Sequence, residues 1–349
     1  MSLLKYALRE FIIDNVENHP RDIVRLSVDK FKVSRQHIHA HINSMINEGI
    51  IRQEGKTSGT KYFLKYLIDE RFDFDTSKHR EEDKLWDKYI FHLIDRFPKN
   101  IRDICQYGFT EMYNNIIDHS ESKKAIIHLY VTQKNISILI IDYGIGIFHK
   151  IKSVLNMKDE RDAILELSKG KLTTDPERHS GEGIFFTSRM FDDFMIFSGG
   201  LFFSHTPVED WILLHRKNRK GTVIQMSINM KSNRKMTEIF NAYTSDINQE
   251  GIPAFAKTII AVDLLRYGTG NLVSRSQAKR LLVRLEDFKE VVLNFENVDM
   301  IGQAFADEIF RVYQNSNPNI KIGWVKANKE VEGMILRAKY QMSSSGKVL

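Results

Sequence analysis

The sequence predicts a multidomain α+β protein: helices and a hairpin first, an interleaved α/β body next, a small strand–helix module last. Three observations carry this. A chain of 349 residues exceeds the roughly 150 of one domain. A hydrophobic fraction of 42% supplies real cores. The texture also changes twice, at the charge-dense run 69–83 and at the polar run 231–235.

Composition narrows the function classes. One cysteine, Cys105, excludes an intrachain disulfide framework and a multi-cysteine zinc site within the chain. No apolar run approaches the roughly 18 residues of a membrane span, and Arg9 and Glu10 interrupt the first apolar stretch, so no signal-peptide layout is present. The expectation is a cytoplasmic protein with no membrane partner. The net charge of +6 permits a nucleic-acid partner.

In the first segment, Leu4, Ala7, Leu8, Phe11 and Ile12 mark a helix face, and Ile23, Val24, Leu26, Val28 and Phe31 a second. Ser34 is a good N-cap for a third helix, which turns Ile38, Ile42, Met45 and Ile46 inward and stops at Gly49. Two short strands, 50–52 and 61–64, then flank a polar tip. The outer face of the third helix carries Arg35, Gln36, His37, His39, His41 and Asn43. The three histidines, at alternate positions, cannot share one helix face, which argues against a metal site. Eleven basic against seven acidic residues over 1–65 leave +4, most of the chain's charge.

Three helices and a hairpin resemble a winged helix-turn-helix domain, here spanning 1–66. The resemblance implies DNA as a partner. Arg35 and Gln36 would read base edges, with His39 beside them, and Lys56 and Lys61 on the wing would meet phosphate. A winged helix that binds only protein is the alternative.

The run 69–83 reads as a linker, leading into a helix that carries Leu85, Trp86, Tyr89, Ile90, Leu93 and Ile94; linker and helix together take 67–97. A helix beginning near Ile101 then places Glu111, Asn115 and His119 four residues apart on one face. Strands 125–131 and 136–141 end in Asp142-Tyr143-Gly144-Ile145-Gly146, a carboxylate followed by two glycines where backbone and ligand can approach closely. Gly181-Glu182-Gly183 opens a helix whose free N–H groups suit phosphate. Gly221-Thr222 begins a later strand.

In this order the four pieces resemble the GHKL (Bergerat) ATPase family, an α/β sandwich ATPase covering 98–232. The resemblance implies ATP and Mg2+ as cofactors. Asp142 would accept the adenine amino group with Thr222 assisting; Asn115 would hold Mg2+, with His119 on the same face; Glu111 would orient or deprotonate the attacking water. Gly144 and Gly146 would let the backbone approach the purine, and Gly181 and Gly183 would free the turn over the phosphates. Residues 148–180 would be a mobile lid from which Lys169, Lys171 and His179 reach the phosphates.

The last segment alternates strand and helix, as in a small α/β layer fold: strands 257–262, 291–295 and 320–324, helices from Ser274, over 302–312 and over 329–338, then a loose tail. Asp307 and Glu308 read as a solvated helix face. The run 293–308 resembles a STAS-like domain, placed at 252–340. The loop Asp299-Met300-Ile301-Gly302 lacks the hydroxyl that relatives phosphorylate, leaving Asp299 as a fixed negative charge. This module implies a protein partner or self-association as a homodimer. Together the readings describe an ATP-binding regulator coupling nucleotide state to DNA or protein binding, in transcriptional or defence control. The alternatives are an anti-sigma-type protein serine kinase acting on a STAS partner and a dimerising DNA-clamp ATPase.

Overall fold

The computed structural model describes residues 3–172, 181–207, 209–245, 254–266 and 270–345. It is a mixed α+β protein with several sheets. Helices α1 (Leu3–Asn15), α2 (Ile23–Phe31) and α3 (Arg35–Asn47) precede an antiparallel hairpin, β1 (Ile51–Glu54) and β2 (Lys61–Leu64). Ser34 caps α3 by accepting a hydrogen bond from the His37 amide, as its position foretold. These elements close their own core around Leu8, Ile12, Ile38, Ile42 and Ile51.

The central body is a five-stranded antiparallel sheet in the order β3-β4-β5-β7-β6, formed by β3 (Ile68–Asp75), β4 (Lys124–Val131), β5 (Asn135–Asp142), β6 (Asp193–His205) and β7 (Asp210–Asn229). Between β3 and β4 run α4 (Glu82–Leu85), a wide turn Trp86–Ile90, α5 (Phe91–Ile94) and the long α6 (Lys99–Asn115), which continues as a π-helical turn, Ile116–Ser120. After β5 come α7 (Ile147–Val154), α8 (Glu160–Lys169) and α9 (Gly183–Met190).

The strand β3 corrects the linker reading. Asp69, Arg71, Asp73 and Asp75 fall on one face, while Ile68, Phe72 and Phe74 turn toward the core; Glu70, on the same parity as these, is exposed. Charges of this period suit an edge strand, where they discourage pairing with another chain. Gly221-Thr222 likewise lies within β7 rather than at its start, opposite a register shift at Ser198 to Leu201. The strand β6 has no counterpart in the sequence reading. Nor does α10 (Met236–Tyr243), which follows β7 and sets Phe240 against Phe186, ring centroids 4.6 Å apart.

A short pair, β8 (Thr244–Ser245) and β9 (Ala254–Phe255), leads into a parallel sheet of β10 (Lys257–Ala261), β11 (Glu290–Asn294) and β12 (Lys321–Val325). Its helices are α11 (Arg275–Leu282), α12 (Gln303–Asp307) with its continuation Glu308–Tyr313 and α13 (Gln314–Ser316), and α14 (Lys329–Ser345). The strand–helix alternation matches the sequence reading, but α14 takes in Ser343 to Ser345, which read as tail. Asp307 is buried and paired with Arg311, not a solvated face. One continuous core joins this module to the central body.

Candidate functional site

Helix α6 approaches the sheet with Glu111 and Asn115 one turn apart. The π turn that follows, one residue wider per turn than an α-helix, carries His119 and ends at Glu121 in a left-handed conformation (φ +59°). The loop after β5 crosses this helix end, where the Ile145 amide donates to the Ser120 carbonyl at 2.9 Å. The approach is close enough that a Cβ on Gly144 would lie 1.8 Å from that oxygen, so any side chain there forces the backbone apart. The crossing brings Asp142 and α7 beside the helix.

The result is a cavity of about 310 Å3, in the size range of small-molecule sites. Glu111, Asn115, His119, Asp142, Gly146, Gly181, Gly183 and Thr222 all line it. Residues read from four separate stretches thus converge on one place. Apolar side chains, Met112, Ile116, Ile147, Ile184 and Ile224 among them, supply its walls. Gly144 stands behind the lining, holding the loop to the helix end.

Asp142 is almost fully buried, and burial pushes its carboxyl above the ordinary aspartate range. The Gly144 amide, donating at 2.7 Å, and the N–H and hydroxyl of Thr222 oppose that shift. Thr222 Oγ1 also accepts from the Ile147 amide at 3.1 Å, fixing the start of α7. Burial likewise raises the Glu182 carboxyl, with Lys171 opposing. Tyr107, one turn before Glu111, has its phenol raised by burial and by the negative charges of Glu111 and Glu182.

Lys169 does not reach this cavity. Its side chain is fully buried on the far side of α8, paired with Glu166 and donating to the Val283 carbonyl at 2.8 Å. Burial lowers its pKa, and the Glu166 charge opposes. Lys171 is also diverted, donating to the Asp287 carbonyl at 2.6 Å. The lid expected over 148–180 is in large part helical and anchored, with Phe148, Ile151, Ala163, Ile164 and Leu165 in the core. Residues 173–180, including His179, lie outside the described residues.

The lysine that does line the cavity is Lys150, one turn into α7 and 3.8 Å from the Glu121 carboxylate. Sequence reasoning passed over it. The signal was its place one helical turn after Gly146. Among the described residues no group of three or more His, Cys, Asp or Glu is arranged to hold a metal ion. A site that uses one or two protein oxygens with phosphates completing the shell needs no such group, and the side chains of Glu111 and Asn115 offer that donor set.

In the first segment Arg35, Gln36, His39 and Lys56 are exposed and Lys61 is half-buried. His37 and His41, four residues apart, meet edge to face with ring centroids 4.7 Å apart.

Comparison with known proteins identifies residues 277–332 as a STAS-like domain of unknown function (DUF4325). No curated protein matches the chain. No helix among the described residues is long and apolar enough to cross a membrane.

Proposed function

We propose that the chain is an ATP-binding regulator, with a GHKL-type nucleotide site in the central body, a winged helix that binds DNA at its front and the STAS-like domain as its protein-interaction module. The observation that carries this reading is the convergence of Glu111, Asn115, Asp142, Gly183 and Thr222 on one cavity. In this reading Asp142 accepts a hydrogen bond from the adenine amino group. Its burial makes it selective, because an unmatched polar group there costs more than in water. Thr222 holds both Asp142 and the first turn of α7 in place. Asn115 would hold Mg2+, which when bound would neutralise phosphate charge. Glu111, one turn earlier, orients a water and takes its proton. Lys150, rather than Lys169, supplies the lysine charge beside the ligand. The first amides of α9, at Gly183 and Ile184, face an anion.

Exposed Arg35 and Gln36 at the start of α3 and Lys56 beyond β1 suit the base and phosphate contacts of a winged helix. The test is binding and turnover of ATP by the full chain, with and without DNA. Wild type is expected to bind ATP in a Mg2+-dependent way, and Glu111→Ala to keep binding but lose hydrolysis. Hydrolysis undiminished in Glu111→Ala would remove Glu111 from the chemistry.

A further inference from the structure

The segment from Glu166 to Leu172 has two faces. Leu167 and Leu172 line the cavity. The residues between them are gripped by the STAS-like domain and the strand before it. Arg284 sits 3.3 Å from the Glu166 carboxylate and donates to the carbonyls of Gly170 and Lys171. Lys169 donates to the Val283 carbonyl, and Thr258 Oγ1 donates to the Lys169 carbonyl at 2.8 Å. One turn up, Arg280 pairs with Asp162.

The backbone at this contact is not relaxed. Gly170 (φ +85°, ψ −177°) and Lys171 (φ +53°) are consecutive residues of positive φ, and Arg284 opposite them is left-handed (φ +57°). A positive φ costs a residue with a side chain about 1–2 kcal/mol, so Lys171 and Arg284 each carry a backbone cost that their mutual hydrogen bond offsets. The next residue, Leu172, donates its amide to the Gly181 carbonyl at 3.1 Å. Gly181 lines the cavity and stands two residues before Gly183, which packs on Glu111. A short covalent and hydrogen-bonded path therefore runs from Arg284 through Lys171, Leu172 and Gly181 to the start of α9.

We infer that the STAS-like domain regulates the cavity of its own chain through Arg284, which fixes the twist at Gly170-Lys171 and so holds the cavity wall in its ligand-binding shape. This rests on the nucleotide-site reading and adds the regulator of that site. Binding and docking are then reciprocal. Whatever loosens the domain weakens the ligand, and the ligand tightens the domain by the same factor. A protein that binds the STAS-like domain at Val283 to Asp287 would have to displace the wall, and so would lower nucleotide affinity.

Arg284→Met removes the grip while leaving Glu166 and Lys169 paired with each other. Arg284→Lys keeps the positive charge but not the fork that reaches two carbonyls. Arg311→Gln, in the same domain and paired with Asp307 of α12, is the control. The readouts on the full chain are Mg-ATP affinity by calorimetry and hydrogen exchange over residues 166–172. Both Arg284 variants are expected to bind Mg-ATP about 5- to 150-fold more weakly, the range of ordinary coupling, with faster exchange over 166–172. In wild type, Mg-ATP is expected to slow that exchange, and Arg311→Gln to behave as wild type. Wild-type affinity in both Arg284 variants would overturn the coupling and leave the nucleotide site standing. No nucleotide binding by wild type would overturn the site, and the coupling with it.

Discussion

The carboxylate of Glu111 occupies the space that a side chain on Gly183 would need: a Cβ there would lie 2.0 Å from Glu111 Oε2. The helix that offers a carboxylate and the turn that opens α9 are in contact, although 72 residues separate them in the chain. Gly183→Ala should therefore push the carboxylate aside rather than unfold the protein, since the clash is first with the end of a flexible side chain. Turnover of ATP should fall by about 10²–10⁴, the worth of a placed general base. In a Glu111→Ala background the same alanine should cost almost nothing in thermal stability. A double-mutant cycle on melting temperature checks this coupling.

Gly144→Ala meets backbone instead. The Ser120 carbonyl oxygen, 1.8 Å from the added Cβ, belongs to the helix end and also accepts from Ile145. Neither strand of chain can yield alone, so the substitution should cost about 3 kcal/mol or more of stability, at or above the usual range for overpacking. Urea denaturation of the purified variant measures it.

Asp142 gives a pH dependence of defined sign. Its folded pKa is raised by burial, so the folded state binds the proton more readily than the unfolded state does. The contribution to stability is full below the ordinary aspartate value of 3.8 and is lost as pH rises through the raised value. Asp142→Asn carries no such titration. Its melting temperature relative to wild type should rise between acid and neutral pH, whatever the constant offset from altered hydrogen bonds. A pH series of thermal melts on the two proteins, without ligand, tests the sign.

The first segment predicts two kinds of loss on DNA. Arg35→Ala with Gln36→Ala should reduce the preference among sequences. Lys56→Ala should weaken all sequences alike and lower the salt slope by about one. Fluorescence anisotropy across a salt series distinguishes them. Absence of DNA binding at low salt would make the segment a protein-binding one.

Much of this was legible in the sequence, for identifiable reasons. Ser34, the apolar face of α3 and the Gly49 stop mark local structure whose physics is local. Glu111, Asn115 and His119 share a face by helical spacing alone, and Asp142 announces itself as a carboxylate between an apolar strand and two glycines. What escaped was decided by distant contacts. Dense charge hid β3, with Glu70 breaking the two-residue period, and its inward residues gain their meaning only from pairing with β4. Helix α10 carries Met236, Ile239, Phe240 and Tyr243 at helical spacing, but polar neighbours masked it. Lys169 looked like a free cation near a phosphate site. Only its partners Glu166 and the Val283 carbonyl, the latter 114 residues away, place it in the core.

Calorimetric titration of the full chain with Mg-ATP, for wild type and for Asp142→Asn, tests the nucleotide site itself. Saturable binding is expected for wild type, and its loss or severe weakening for Asp142→Asn, because an acceptor for the adenine amino group becomes an amide that presents a donor. Equal affinity in the two proteins, or no binding by wild type, would contradict it.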